Sequence, residues 1–71
     1  MKRRDAVRAL RNLGFEQQPQ RGGSHEKWIC HRDGRPWIVT LDCHDGEVSA
    51  KNVKSMIAQA GVSKRQWYEA A

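Results

Sequence analysis

An Asp33-Gly34 dipeptide between two runs of alternating residues is the feature that most restricts how this chain can fold. Asp-Gly is a strong signal for the two-residue turn that joins antiparallel strands. With such a turn Arg32 faces Arg35, and every other pair of opposite residues in the hairpin follows. The predicted strands are His25–His31 and Pro36–Asp42.

This register divides the hairpin into an apolar face and a polar face. The pairs on the apolar face are Trp28 with Val39 and Cys30 with Trp37, with Glu26 opposite Leu41 near the sheet end. The pairs on the other face are His25 with Asp42, Lys27 with Thr40 and Ile29 with Ile38. Turn chemistry and face polarity agree, which supports the register. Pro36 favours an edge position for its strand.

Helical patterns flank the hairpin. Apolar residues recur at helical spacing over about Arg4–Leu13, and again from the segment that Ser49 caps to Ala60. Each helix stops at a glycine, which favours the backbone geometry of a helix end. Ser63 and Gln66 form a capping-box pattern for a short terminal helix. A weaker strand is predicted over Phe15–Gln20, and residues 43–48 are predicted to be a loop.

The resulting order is α-β-β-β-α with a short C-terminal helix, within the α+β class. Short connections predict a three-stranded antiparallel sheet that both helices cover on one face, with the other face open to solvent. This is the topology of double-stranded RNA-binding domains. Residues 1–71 are expected to form a single domain.

A chain of 71 residues has little interior, so its stability depends on a few large side chains. There is no room for a cofactor-sized cavity, which argues against a cofactor-dependent enzyme. The residues available for the core are Val7, Leu10, Leu13, Phe15, Trp28, Trp37, Val39, Leu41, Val53, Met56, Ile57 and Trp67.

The formal net charge of +5 favours a polyanionic partner, because neutralised phosphates release counterions. An acidic protein partner would satisfy the same charge. No secretory signal follows the basic N-terminus and no stretch approaches transmembrane length, so we expect a cytoplasmic protein without membrane contact. Cys30 and Cys43 lie on the order of 15 Å apart in the predicted sheet, too far for a disulfide. The Cys30-His31 and Cys43-His44 dipeptides are equally distant, so we expect no metal site.

The segment Arg21-Gly22-Gly23-Ser24, followed by His25 and Lys27, is the best candidate for chemistry. Two glycines let the backbone approach a ligand closely, and turn N–H groups can point at an anion. Histidine titrates near neutrality and can take the proton of a ribose 2′-hydroxyl, while a nearby cation stabilises the phosphoryl oxygens. The plain alternative is a glycine turn that leads into an exposed strand histidine.

Two residues at the same end of the sheet can assist His25. His44 can supply a catalytic acid, and Asp42, opposite His25, can orient the imidazole and favour its charged form. A loop residue and an exposed strand-end carboxylate are the corresponding alternatives. His31 lies on the same face but about 20 Å along the strand, too far to share a phosphate with His25.

The order and spacing of these motifs resemble the HicA-like toxins of bacterial toxin–antitoxin systems along nearly the whole chain. The shared features are Asn12-Leu13-Gly14-Phe15, Arg21-Gly22-Gly23-Ser24-His25 with Trp28, Val39-Thr40-Leu41 with His44, and Gln59-Ala60-Gly61-Val62-Ser63. The resemblance implies a double-stranded RNA-binding-like fold, mRNA cleavage that arrests growth, and neutralisation by a cognate HicB-type antitoxin that covers the active histidine. The functional histidine of the family falls on His25.

Three hypotheses follow for the function. The first is a metal-independent ribonuclease toxin, with His25, Lys27 and His44 as catalytic residues and Arg21, Gly22, Gly23 and Ser24 binding the substrate. The second is an RNA-binding module that uses the same surface without chemistry. The third is an interaction protein whose basic surface meets only an acidic partner.

Overall fold

The computed structural model describes residues 1–19 and 25–71 of the chain. Its elements, in chain order, are α1 (Arg3–Asn12), β1 (Glu16–Gln17), β2 (His25–Arg32), β3 (Arg35–Asp42), α2 (Ala50–Ala60) and α3 (Lys64–Ala70). The three strands form an antiparallel sheet in the order β1-β2-β3. The predicted α+β order is therefore confirmed. Among residues 1–19 and 25–71, every helix is too short or too polar to cross a lipid bilayer.

The β2–β3 hairpin has the predicted register. Asp33 and Gly34 both have positive φ angles, 54° and 75°, as a two-residue type I′ turn requires. Arg32 pairs with Arg35, and the pairing continues to His25 opposite Asp42. Within the described sheet β3 is an edge strand, as Pro36 predicts.

The apolar face of the hairpin packs against the helices. Two tryptophans, Trp28 on the sheet and Trp67 on α3, are almost fully buried and supply much of the apolar area. The other buried apolar residues of the described chain are Ala6, Val7, Ala9, Leu10, Phe15, Cys30, Val39, Leu41, Val48, Val53, Met56 and Ala60. Leu13, Trp37 and Ile57, which were expected in the core, are only partly buried at its margin.

Trp37 lies at the margin of the core because its ring packs against the hairpin tip and the end of α2. The Arg32 and Arg35 guanidinium groups lie 4.5 Å and 4.4 Å from the centre of the Trp37 ring system. Arg32 also donates a hydrogen bond to the carbonyl of Ala60, the last residue of α2. Gly61 ends that helix with a φ of 68°, and the Trp37 ring occupies the space where its side chain would start.

The helix caps follow the predicted signals. The Ser49 hydroxyl accepts a hydrogen bond from the Asn52 N–H at the start of α2. Ser63 and Gln66 make both hydrogen bonds of the capping box at the start of α3. These bonds satisfy backbone groups that have no partner within a helix.

One segment prediction was wrong in its bounds, and another was correct but incomplete. The first strand contains only Glu16–Gln17 within the described residues, because these pair with β2 before Pro19, which has no N–H to donate. The predicted loop over residues 43–48 contains a second tight turn, at Asp45 and Gly46, with positive φ angles of 52° and 77°. That turn pairs His44 with Glu47 and holds Glu47 beside Lys2.

Side chains of α2 cover the outer edge of β3. The Gln59 side chain accepts a hydrogen bond from the Thr40 N–H at 2.9 Å, and the Asn52 amide donates to the Asp42 carbonyl at 3.2 Å. Pro36 has no N–H to offer on the same strand. The edge is therefore a poor template for pairing with another strand.

Candidate functional site

The open face of the sheet carries His25 at the start of β2. Its side chain is 66% exposed, and its Nδ1 atom lies 3.7 Å from an Asp42 carboxylate oxygen. The separation is longer than a direct hydrogen bond but suits an ion pair when the imidazole is protonated. The hairpin register brings these two residues together, as the sequence analysis predicted.

Lys27 lies two residues further along β2 on the same open face. Its ammonium group donates a hydrogen bond of 2.7 Å to the Thr40 hydroxyl, on the opposite strand. The predicted register pairs these residues, but the sequence does not indicate a role for Thr40. The contact holds the cation on the face that carries His25, at a strand spacing of about 7 Å.

His44 is exposed in the Asp45-Gly46 turn, just beyond β3. It shares a hollow of about 260 Å³ with Asp42; the other lining residues are Cys43, Glu47, Ser49 and Asn52. Asp42 therefore contacts the imidazole of His25 and lines the same hollow as His44. His31 pairs with Pro36 at the opposite end of the hairpin.

The Glu26 carboxylate, which follows His25 in sequence, lies on the opposite face of the sheet from the His25 imidazole. Glu26 is buried on the apolar face of the sheet and accepts two hydrogen bonds from the Arg3 guanidinium, at 2.8 Å and 2.7 Å. The Gln17 amide donates a third, at 2.9 Å. Glu26 raises the pKa of Arg3 above its ordinary value, chiefly through the hydrogen bond. The negative charge of Glu26 is thus neutralised away from the open face.

The four predicted substrate-binding residues, Arg21, Gly22, Gly23 and Ser24, lie outside the described residues. Their assignment remains a prediction from the sequence. Within the part of the chain that is described, no three His, Cys, Asp or Glu side chains are grouped so that they could hold a metal ion. Cys30 and Cys43 are free thiols, in agreement with the predicted separation.

The fold and the site define a small α+β domain whose open antiparallel sheet presents a histidine, a carboxylate and a lysine. No protein of curated function matches the chain significantly. The family model described as "HicA toxin of bacterial toxin-antitoxin" matches residues 3–62, from the start of α1 to just beyond α2. The chain belongs to this family of toxins.

Proposed function

We propose that this toxin is a metal-independent ribonuclease that cleaves mRNA with His25 as its acid–base residue. The observation that carries the proposal is the exposed His25 imidazole beside Asp42, with Lys27 on the same open face. A general acid–base residue must reach a proton on the substrate, and an exposed strand-end imidazole meets that requirement. The net charge of +5 favours an RNA partner.

In this mechanism His25 takes the proton of a ribose 2′-hydroxyl. The 2′-oxygen forms a bond to the adjacent phosphorus, and the bond from phosphorus to the 5′-oxygen breaks. Protonated His44 donates a proton to the departing 5′-oxygen. Lys27 stabilises the negative charge on the phosphoryl oxygens, and Asp42 orients the His25 imidazole.

Substrate binding is assigned to Arg21, Gly22, Gly23 and Ser24, from the sequence. An arginine and backbone N–H groups near glycines are suited to phosphate oxygens. We further propose that a HicB-type antitoxin neutralises the toxin and that the protein acts in the cytoplasm. The family description supports an antitoxin partner.

The test compares RNA cleavage and growth arrest for the parent, His25→Ala and His31→Ala. His31 is the matched control because it is exposed on the same strand and the same face, at the far end of the hairpin. His25→Ala should lower the cleavage rate by a factor on the order of 10²–10⁴, and His31→Ala should not. Because His25 is exposed, its loss should change the stability by only about 0.5 kcal/mol.

Two further measurements examine the chemistry. Cleavage should continue in excess EDTA, and an RNA with a 2′-deoxyribose at the cleaved position should resist cleavage there. If His25→Ala cleaves as fast as the parent, the acid–base assignment is wrong. Salt-sensitive RNA binding without cleavage, even after a bound partner has been removed, would favour the RNA-binding module instead.

A further inference from the structure

A groove of about 480 Å³ runs between α2 and α3, away from the candidate site. We call it the α2–α3 groove; the residues that line it are Ala50, Val53, Lys54, Ile57, Lys64 and Tyr68. None of them belongs to the sheet or to the group around His25. The ribonuclease chemistry proposed above leaves this surface without a role.

The walls of the groove are fixed before anything binds. Trp67 of α3 is fully buried, and the capping box at Ser63 sets where that helix starts. At the other end of α3, the Asn12 amide donates a 2.7 Å hydrogen bond to the Ala70 carbonyl. The free-energy cost of ordering this surface on binding a partner should therefore be small.

The groove combines an apolar floor with a basic rim. Ile57 is partly exposed and half of the Tyr68 surface is exposed. The exposed lysines Lys54 and Lys64 stand beside this floor. The α2 sequence contains no Asp or Glu, and Glu69, the one acidic residue of α3, is paired with Arg65 at 2.9 Å.

This pattern of charge and polarity fits an acidic amphipathic helix. Apolar side chains of such a helix would cover Ile57 and Tyr68, and carboxylates on its flanks would meet the lysines. RNA phosphates would also meet the lysines, but apart from Tyr68 the floor is aliphatic and offers bases neither a stacking surface nor a hydrogen bond. The surface therefore favours a protein partner over a nucleic acid.

The family match indicates which partner this is. A toxin of this class has an antitoxin partner, and the match ends at residue 62, before α3 begins. One wall of the groove, with Lys64 and Tyr68, therefore lies outside the matched residues. We propose that the α2–α3 groove binds an acidic amphipathic segment of the antitoxin. The proposal depends on the antitoxin partner but not on RNA cleavage.

A designed peptide tests the recognition chemistry directly. The probe is an amphipathic helix of about four turns, with leucines on one face and glutamates on the other, and its control carries lysines for the glutamates. The isoleucines of the chain are Ile29, Ile38 and Ile57, so methyl-labelled isoleucine places reporters in the groove and on the open face. The acidic peptide should shift the Ile57 signal and leave Ile38 unchanged, while the basic peptide should shift neither.

The antitoxin test uses the adjacent-gene product that neutralises or co-purifies with the full-length toxin. The double variant Lys54→Glu, Lys64→Glu should weaken its binding at least tenfold, measured by calorimetry, which corresponds to about 1.4 kcal/mol. Arg4→Glu is the control for charge, because Arg4 is exposed on α1 outside the groove. It should bind as the parent does.

RNA cleavage by the same variants separates this proposal from the previous one. If the parent cleaves RNA, the double variant should cleave equally fast and escape neutralisation. If the parent does not cleave, the binding comparison still stands. An unchanged Kd would overturn the proposal, as would a loss of RNA cleavage in the double variant. Tyr68→Glu, which places a like charge on the groove floor, provides a second variant with the same expected loss of binding.

Discussion

The Arg3–Glu26 ion pair neutralises a buried carboxylate that is next in sequence to the candidate catalytic histidine. The Glu26 side chain keeps only 8% of its surface exposed, whereas Arg3 keeps 40%. Removing Arg3 would leave a buried carboxylate that, among the residues the structure describes, has only the Gln17 amide to compensate it. Removing the charge of Glu26 would leave an arginine that can turn toward water. The two partners should therefore differ in what their loss costs.

The expected magnitudes follow from this asymmetry. Breaking a buried ion pair from one side costs about 3–5 kcal/mol, and the partial exposure of Arg3 and the remaining Gln17 bond reduce this to about 2–3 kcal/mol for Arg3→Met. Glu26→Gln keeps the side-chain volume and should cost about 1 kcal/mol. In a domain of this size each kcal/mol lowers the Tm by about 4–8 °C, so Arg3→Met should be the clearly less stable variant.

Urea unfolding, followed by tryptophan fluorescence, measures both losses, and RNA binding at two salt concentrations completes the test. Glu26→Gln should bind RNA as the parent does, because the carboxylate already faces away from the open face. Equal destabilisation by the two variants would refute the assigned burial. A many-fold gain in RNA affinity for Glu26→Gln would show that this carboxylate faces the substrate instead.

Two further predictions concern a helix end and a surface ion pair. Gly61→Ala should cost about 2–4 kcal/mol, since αL strain adds to overpacking against Trp37, whose ring lies 2.5 Å from the new methyl position. Gly34→Ala, with φ 75° and open space, should cost only about 1–2 kcal/mol of strain, and equal losses in urea unfolding would contradict the Trp37 contact. The hydrogen bond from Lys2, together with the N-terminal ammonium, lowers the pKa of Glu47 below its ordinary 4.5. Above pH 4.5 the ionised Glu47 carboxylate therefore stabilises the fold, and this stabilisation is lost as the pH falls through the pKa of Glu47 in the folded state. Unfolding curves of the parent and Glu47→Gln should converge in acid. A difference between them that persists in acid would contradict the assignment.

The hairpin could be predicted from the sequence because one turn fixes a whole register. Asp33-Gly34 favours a two-residue turn with two positive φ angles, and that turn allows one pairing of the flanking strands, in which Trp28 lies opposite Val39. The helix ends at Ser49, Gly61 and Ser63 were predictable for a similar reason, because each depends on local backbone chemistry.

Features that depend on tertiary contacts were not predictable. Nothing in the local sequence indicates that Arg3 reaches Glu26 across the fold, or that Trp37 packs between arginines and the end of α2 instead of in the core. The Asp45-Gly46 turn carried the same dipeptide signal as the first hairpin. It was missed because no alternating strands flank it, so the periodicity gave no support.

The candidate site likewise has features that the sequence predicts and features that depend on tertiary contacts. The pairs His25 with Asp42 and Lys27 with Thr40 follow from the register, so their proximity was predictable. The hydrogen bond between Lys27 and Thr40 depends on side-chain conformations that periodicity does not encode. The hollow that Asp42 and His44 share depends on the second turn, which periodicity does not predict.

The proposed ribonuclease activity depends most on whether the His25 imidazole performs the cleavage chemistry. Single-turnover cleavage of a short RNA by purified parent, His25→Ala and His31→Ala measures this directly, with folding checked by circular dichroism. If His25 is the acid–base residue, only His25→Ala should lose rate, by a factor on the order of 10²–10⁴. Equal rates for parent and His25→Ala, or an equal loss in His31→Ala, would contradict it.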